Sequence, residues 1–424
     1  MLEQVECHSL GQEKPPTSRN ALQNQLPAVH DELASFDATD PNYATQFVDK
    51  LLELAQANEC SDVHLQPTAD GLEIQWRLDG VLQLVGTFSS GEAADVVSRI
   101  KVLAELLTYQ TDVPQEGRIR IESTDSAQRV EMRVSTLPTV FGERAVIRIF
   151  ASGELRWLQQ LGLPEKMVSQ LDAMLRETTG AIIVTGPAGS GKTTTAYACL
   201  RHIVDTSSRG RSIVSLEDPV EVVVPGVAQA QVNLSVDFDL LTGLKSMLRQ
   251  DPEVIFVGEI RDRETAEVAA QAALTGQLVI TTFHAGSATE ALSRLADMGL
   301  EPYILRSGLV GIVSQRLVRK LCECAEWNSD DSSNLGLPVE KYRIPIGCDA
   351  CKSTGYVGRV VLAELLPIRN EQIGRAILEK QDSTSLERMA SSDCGMTTLW
   401  QRAVEVVESG LTSPEEIRRV LGVQ

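Results

Sequence analysis

At about 150 residues per domain, a chain of 424 residues accommodates two or three domains, which excludes a single small binding module. Its composition, 43% hydrophobic, 23% charged and 4% aromatic with 30 Gly and 17 Pro, is that of packed globular domains and excludes collagen-like, coiled-coil and wholly disordered chains. A net charge of -19 repels phosphate backbones and disfavours sequence-nonspecific nucleic-acid binding.

The N-terminal stretch 1–40 mixes Pro15-Pro16, Asn, Gln and Ser without a sustained period and reads as a flexible leader with no fold. It carries Glu3 and Glu6 where a signal peptide needs positive charge, and it has no apolar core. Together with apolar runs no longer than stretches such as Ala181–Val184 and Val254–Val257, far short of a spanning helix, this predicts a cytoplasmic protein. An N-terminal α+β domain follows over 41–150. Phe47, Leu51, Leu52 and Leu54 mark one face of a helix from Tyr43; Ile74, Trp76 and Leu78 alternate with Glu73, Gln75 and Arg77 in a strand that ends at an Asp79-Gly80 turn. A helix over Ala93–Leu107 precedes strands over Arg118–Glu122, Val130–Ser135 and Arg144–Phe150. Their alternation predicts an arginine-rich sheet face made of Arg118, Arg120, Arg133, Arg144 and Arg148.

After a linker at 151–160, a second domain over 161–320 alternates strands and helices. Strands at Ala181–Val184, Ser212–Leu216, Val254–Val257 and Leu278–Thr282 are separated by helices at Leu240–Arg249 and Glu264–Leu274 and followed by one at Ala288–Met298. That order predicts an α/β fold with a parallel sheet. A cysteine-bearing segment over 321–364 and small helices over 365–424 complete the chain.

Gly186-Pro187-Ala188-Gly189-Ser190-Gly191-Lys192-Thr193 fits G-x-x-x-x-G-K-[ST] directly after an apolar strand, and helix formers follow from Thr194. In such a loop the glycines let backbone N–H groups curl around nucleotide phosphates, the lysine reaches the β and γ oxygens and the threonine holds Mg²⁺. ATP and Mg²⁺ are therefore the expected ligands. The enzyme also needs an acid at the end of a buried strand; Glu259, closing Val254-Ile-Phe-Val-Gly, is the leading candidate, and Glu217-Asp218-Pro219-Val220-Glu221 ends another strand. The bland reading of each is a solvated strand-end acid. His284, just past Phe283, is a candidate γ-phosphate contact, against the alternative of a structural histidine.

These residues resemble the secretion and pilus-assembly ATPases of bacterial type II secretion, type IV pili and competence systems, over about residues 43 to 424. Leu248-Arg-Gln-Asp-Pro-Glu-Val-Ile-Phe-Val-Gly-Glu-Ile-Arg-Asp262 and Ala273-Leu-Thr-Gly276 look like that family's Walker B region running into its His box. Leu216–Glu221 is similar to its Asp box; Ser61-Asp62-Val-His64, Arg77-Leu-Asp79-Gly80 and Gln115-Glu-Gly117-Arg118 are similar to its first-domain signatures. The resemblance implies a RecA-like domain in a homo-hexamer that hydrolyses ATP between protomers. Glu217 would then orient water, and Arg118 and Arg133, with Arg144 and Arg148 behind them, would supply charge to the nucleotide. It also implies docking, peripherally and on the cytoplasmic side, on inner-membrane platform proteins of a secretion or pilus system. Gln277 departs from the family's Thr-Gly-His and implies altered sensing. Rival readings are an ATP-binding scaffold with little turnover and a DNA-translocating motor.

Eight cysteines are too few for a disulfide scaffold, yet four of them form Cys322-Glu-Cys324 and Cys348-Asp-Ala-Cys351. Four thiolates in two close pairs suit structural zinc, although C-x-C narrows the first pair's bite relative to the family's C-x-x-C; four free thiols are the alternative. The pairs favour the assembly or secretion branch over retraction motors. Cys7, Cys60, Cys199 and Cys394 read as scattered small residues.

Overall fold

The structure, a computed structural model, describes residues 26–88, 93–122, 129–149, 155–207, 210–330 and 334–422. Residues 1–25 of the expected leader, with Cys7, and 151–154 of the expected linker lie outside the described residues. The chain divides into two compact units, Met1–Arg120 with Glu131–Ile149, and Ile121–Val130 with Phe150–Gln424.

In the first unit, α1 (Pro27–Ala34) precedes α2 (Tyr43–Ala57), β1 (Asp62–Thr68), β2 (Gly71–Leu78), β3 (Val81–Phe88), α3 (Ala93–Leu103), β4 (Gln115–Glu122), β5 (Arg129–Thr139) and β6 (Gly142–Ile149). The strands form one sheet in the order β3-β2-β1-β6-β5-β4. Phe47, Leu51 and Leu52 of α2 and Val96, Val97 and Ile100 of α3 are buried, as are Ile74, Trp76, Met132, Val134 and Ile147 from the sheet. Asp79 (φ 47°) and Gly80 (φ 83°) make the left-handed turn between β2 and β3.

Three expectations for this unit change. Part of the predicted leader is the helix α1: Val29 and Leu33 are buried, and His30 stacks on Phe88 with ring centroids 5.5 Å apart. Strand β1, unread in the sequence, pairs with both β2 and β6. Helix α3 stops at Leu103 rather than Leu107 because β4 crosses its end closely. A Cβ on Gly117 would lie 2.3 Å from the Ala104 carbonyl oxygen, and the Gln115 side chain takes both backbone groups of Leu107.

The second unit begins with α4 (Glu165–Leu175), β7 (Gly180–Thr185), α5 (Lys192–Thr206), β8 (Ile213–Glu217) and β9 (Ala228–Gln231). Then come α6 (Leu240–Met247), β10 (Val254–Val257), α7 (Arg263–Thr275), β11 (Leu278–Phe283), α8 (Ala288–Asp297), α9 (Pro302–Gly308) and β12 (Leu309–Leu321). The chain ends with β13 (Glu326–Asn328), β14 (Tyr342–Ile344), β15 (Tyr356–Pro367), α10 (Glu371–Leu378), α11 (Ser383–Ser392), α12 (Leu399–Glu408) and α13 (Pro414–Leu421).

A seven-stranded sheet runs β15-β12-β7-β11-β10-β8-β9, parallel except for β15, which pairs antiparallel to β12. Strands β7, β10 and β11 are buried at every residue, which is why they read as continuous apolar runs. Alternate residues enter two cores: Ile182, Phe256 and Ile280 pack with α4 and α5, and Ile183, Val257 and Val279 with α6 to α11. Because β15 extends the main sheet, the predicted cysteine segment ending at 364 is shorter than expected. Between β12 and β15, β13 and β14 form a separate two-stranded sheet.

Candidate functional site

The phosphate-type loop leaves the C-terminal end of β7, between β12 and β11. Thr185 Oγ1 donates to the Phe283 carbonyl at 3.1 Å and holds β7 to β11 where the loop begins. Gly186, Gly189 and Gly191 have φ values of 151°, 74° and 86°, which favour glycine. Lys192, the first residue of α5, bends back so that Nζ donates to the carbonyls of Gly186 (3.0 Å) and Pro187 (3.1 Å). Burial lowers the Lys192 pKa, and Glu259 opposes that effect. Thr193 Oγ1 lies 3.4 Å from Glu221 Oε1. Pro187, Ala188, Gly189 and Thr194 are exposed, while Ser190 is buried.

Glu259, His284 and Lys192 form a line of contacts. His284 Nε2 is 2.9 Å from Glu259 Oε1, and His284 Nδ1 is 3.4 Å from Lys192 Nζ. An ammonium can only donate, so Nδ1 accepts from Lys192 and Nε2 carries the proton toward Glu259. Arg261 Nε donates to the other Glu259 oxygen at 3.1 Å. Glu217 is buried and differently placed: Ser215 Oγ (2.6 Å) and Gln229 Nε2 (3.0 Å) donate to one oxygen and the Tyr197 hydroxyl to the other. The Tyr197 oxygen in turn accepts from the Glu221 N–H at 3.1 Å.

Arg118 and Arg133 belong to the first unit, where both are exposed and pair across strands with Glu131 (2.9 Å) and Glu116 (2.5 Å). Arg148 pairs with Asp62 at 2.9 Å, and Arg144 lies 3.0 Å from His64 Nδ1. Gln277 precedes β11, and its carbonyl accepts from the Gly180 N–H, six residues from Phe283 at the end that leads to His284. At about 3.3 Å per residue, roughly 20 Å of strand separates it from that end.

Three further residues reach this site without a sequence signal of their own. Gln315 contacts Ser190 and Thr195, Arg316 donates to the Gly286 carbonyl at 2.6 Å, and Arg294 donates to the His284 carbonyl. Gln315 and Arg316 sit inside a strand, where the available clue is the polar stretch Ser314-Gln315-Arg316 interrupting an apolar run.

The four cysteines converge. All four Sγ atoms lie within 4.8 Å of one another, with separations of 3.8 Å (Cys322–Cys348), 3.9 Å (Cys324–Cys351) and 3.7 Å (Cys348–Cys351). Four thiolates at about 2.3 Å around a tetrahedral zinc stand about 3.8 Å apart, so the donor set fits zinc. Burial pushes the Cys351 thiol up, but the N–H groups of Cys348 and Gly355 and the neighbouring Cys348 and Cys324 thiols together bring the pKa down to about 7.

The family model described as "Type II/IV secretion system protein" matches residues 37–419. The chain belongs to the type II/IV secretion system protein family. It is 40% identical over 405 residues to type II secretion system protein E of Pectobacterium carotovorum subsp. carotovorum, covering 94% of this chain and 79% of that one. It is 36% identical over 396 residues to the type IV pilus assembly ATPase TfpB of Acinetobacter baylyi, covering 91% and 66%. Among solved structures, the pilus retraction motor PilT with bound ADP is similar at 25% identity and TM-score 0.59, covering 87% of this chain and 95% of that one. The Legionella pneumophila ATPase DotB shares the fold at 20% identity and TM-score 0.66, covering 88% and 95%. The family's members are ATP-hydrolysing P-loop enzymes, and this chain keeps the loop intact.

Proposed function

We propose that the protein is a Mg²⁺-dependent ATPase that works as a homo-hexamer on the cytoplasmic face of the inner membrane and drives assembly of a type II secretion pseudopilus or a type IV pilus. The contact line Glu259–His284–Lys192 beside an intact phosphate loop carries this reading. The relatives named for type II secretion and pilus assembly supply the process. No helix among the described residues is long and apolar enough to cross a membrane, which agrees with peripheral docking.

In the proposed reaction the backbone N–H groups of residues 188–194 and the Lys192 ammonium hold the ATP phosphates, with Gly186 and Pro187 shaping the loop. Thr193, with Glu221 beside it, would hold Mg²⁺, which when bound neutralises charge on the β and γ oxygens. Glu259 accepts a hydrogen bond from the attacking water and sets it in line with the γ phosphorus. His284 orients Glu259 and reports the γ-phosphate through the backbone that follows it. Glu217 acts through Tyr197, which holds the Glu221 N–H and so fixes the loop after β8 that carries Glu221. Arg118 and Arg133 complete a neighbour's site. Zinc on Cys322, Cys324, Cys348 and Cys351 would be structural, with every ligand position taken by protein.

Steady-state hydrolysis tests the reading. Wild type turns over ATP only with Mg²⁺, and Lys192→Ala and Glu259→Gln each abolish turnover. Wild-type rates in either variant would sink the site assignment, and a wild type that binds ATP without turnover would make the protein a scaffold.

A further inference from the structure

We infer that Gln315 and Arg316, neighbours on β12, are positioning residues for the two loops that face the phosphates: Gln315 aims the phosphate loop and Arg316 holds the His284 loop. The inference rests on the reading that the loop binds ATP.

Gln315 is 1% exposed, and its amide is satisfied at both ends. Oε1 accepts from Thr195 Oγ1 at 3.0 Å, and Nε2 donates to the Ser190 carbonyl at 2.7 Å. A trans peptide carries its C=O and N–H on opposite sides. Drawing the Ser190 carbonyl onto Gln315 therefore turns the Gly191 N–H the other way, into the concavity where an anion needs donors. The hold on Thr195, in the first turn of α5, fixes the helix start with the same amide. Gln315 also explains two of the glycines. A Cβ on Gly186 would meet its carbonyl oxygen at 2.5 Å, and one on Gly191 would meet Nε2 at 3.1 Å.

Successive strand residues point to opposite faces, so Arg316 serves the other loop. Its Nη2 donates to the Gly286 carbonyl at 2.6 Å and its Nη1 to the Gln315 carbonyl at 3.0 Å. The Gly286 N–H donates to Glu290 Oε2 at 2.6 Å, and Arg294 takes the His284 carbonyl. The backbone after His284 is thus held by Arg294, Glu290 and Arg316, with the Ala288 N–H on Glu364 of β15 at 2.8 Å, and Arg316 ties it to β12 beside the phosphate loop. These contacts separate two tasks. Gln315 governs how well the loop grips phosphate, whereas Arg316 governs where His284 stands against Glu259.

The test compares ADP affinity by calorimetry with kcat and KM for ATP in the full chain, with melting temperature and zinc content measured alongside. Gln315→Met keeps volume but neither donates nor accepts as the amide does; it leaves the Ser190 carbonyl and the Thr195 hydroxyl unpaired, and it weakens ADP binding and raises KM at least about tenfold. Arg316→Met leaves ADP affinity within about twofold and lowers kcat about tenfold. Gln315→Met binding ADP like wild type overturns the inference. So does a parallel fall of kcat and rise of KM in both variants that tracks lost melting temperature. If Gln315→Met does not fold, Thr195→Val carries the same test: ADP affinity falls about threefold at constant kcat, and unchanged affinity overturns the proposal. A wild type that fails to bind ADP would defeat the nucleotide reading itself, which is a separate result.

Discussion

The C-x-C pair looks too tight for a shared ion, yet its two sulfurs diverge to different partners. Cys322 faces Cys348 and Cys324 faces Cys351, so the short spacer costs nothing once the second pair sits between them. Backbone shapes this more than the thiols do: the Cys322 N–H is held by the Gly355 carbonyl at 2.9 Å, which brings the end of β12 beside the second pair. Arg343 donates to the carbonyls of Glu323 (3.0 Å) and Ala325 (2.7 Å), closing the intervening turn. One zinc per chain is expected by metal analysis of the purified protein. Cys324→Ser should release it and lower the melting temperature while leaving ADP binding intact, because the cluster and the phosphate loop share no ligand. A metal-free wild type of full stability would return the four residues to free thiols. At this scale the motifs were legible because each is contiguous: Lys192, Thr193 and Glu259 announce themselves within a few neighbours. Gln315 was not, since it meets Ser190 and Thr195 from 125 and 120 positions away, and only the fold brings them together.

Among the elements, the strands buried at every residue read as apolar runs, and β2, β5, β6 and β8 are also legible as strands, whereas β1, β12 and β15 are not. Strand β12 begins as an apolar run and ends in alternation, and β15 does the reverse, so neither carries one period along its length. Helix α1 buries only Val29 and Leu33 of its eight residues, too few to show a face in the sequence. Each C-terminal helix starts at a cap: Asn370, Asp382, Thr398 and Ser413 each accept from a first-turn N–H. What docks the last of them is a buried carboxylate. Glu416 of α13 accepts from the Arg319 N–H (2.9 Å) and guanidinium (2.9 and 3.0 Å), and from Arg419 (2.6 and 2.7 Å). Burial pushes its carboxyl up, but these donors outweigh burial and hold it below the ordinary 4.5. A carboxyl lowered by folding contributes stability that is present above its unfolded value and lost as pH falls through the folded one. Glu416→Ala should therefore cost about 3–5 kcal/mol near neutrality, and the variant should lose less further stability than wild type below about pH 4.5. Denaturant titrations at pH 7 and pH 4 check this; equal acid sensitivity in both proteins would show that folding leaves the Glu416 carboxyl unshifted.

For the molecule as a whole the question is where the cationic charge for the transferring phosphoryl group comes from. The chain carries -19 overall, so that charge must be placed locally. In the unit that holds the phosphate loop, Arg294 and Arg316 are committed to the carbonyls of His284 and Gly286. Arg261 lies on Glu259. The first unit offers Arg118 and Arg133 on an exposed sheet face, each paired, among the described residues, with a surface glutamate. Such pairs contribute about 0–1 kcal/mol, so exchanging Glu116 or Glu131 for a phosphate oxygen costs little, while a guanidinium on a phosphate gains a charge-assisted, bidentate contact. If those arginines act on a neighbouring copy, the hydrolysis rate per chain should climb steeply with protein concentration, and sedimentation should show the oligomer forming over the same range. Arg133→Ala should flatten the rate curve without changing the sedimentation, since it removes charge from the reaction and only a weak surface pair from the fold. A rate per chain independent of concentration would mean that one copy completes its own site, and the shared-site motor would have to be abandoned for a self-contained ATPase.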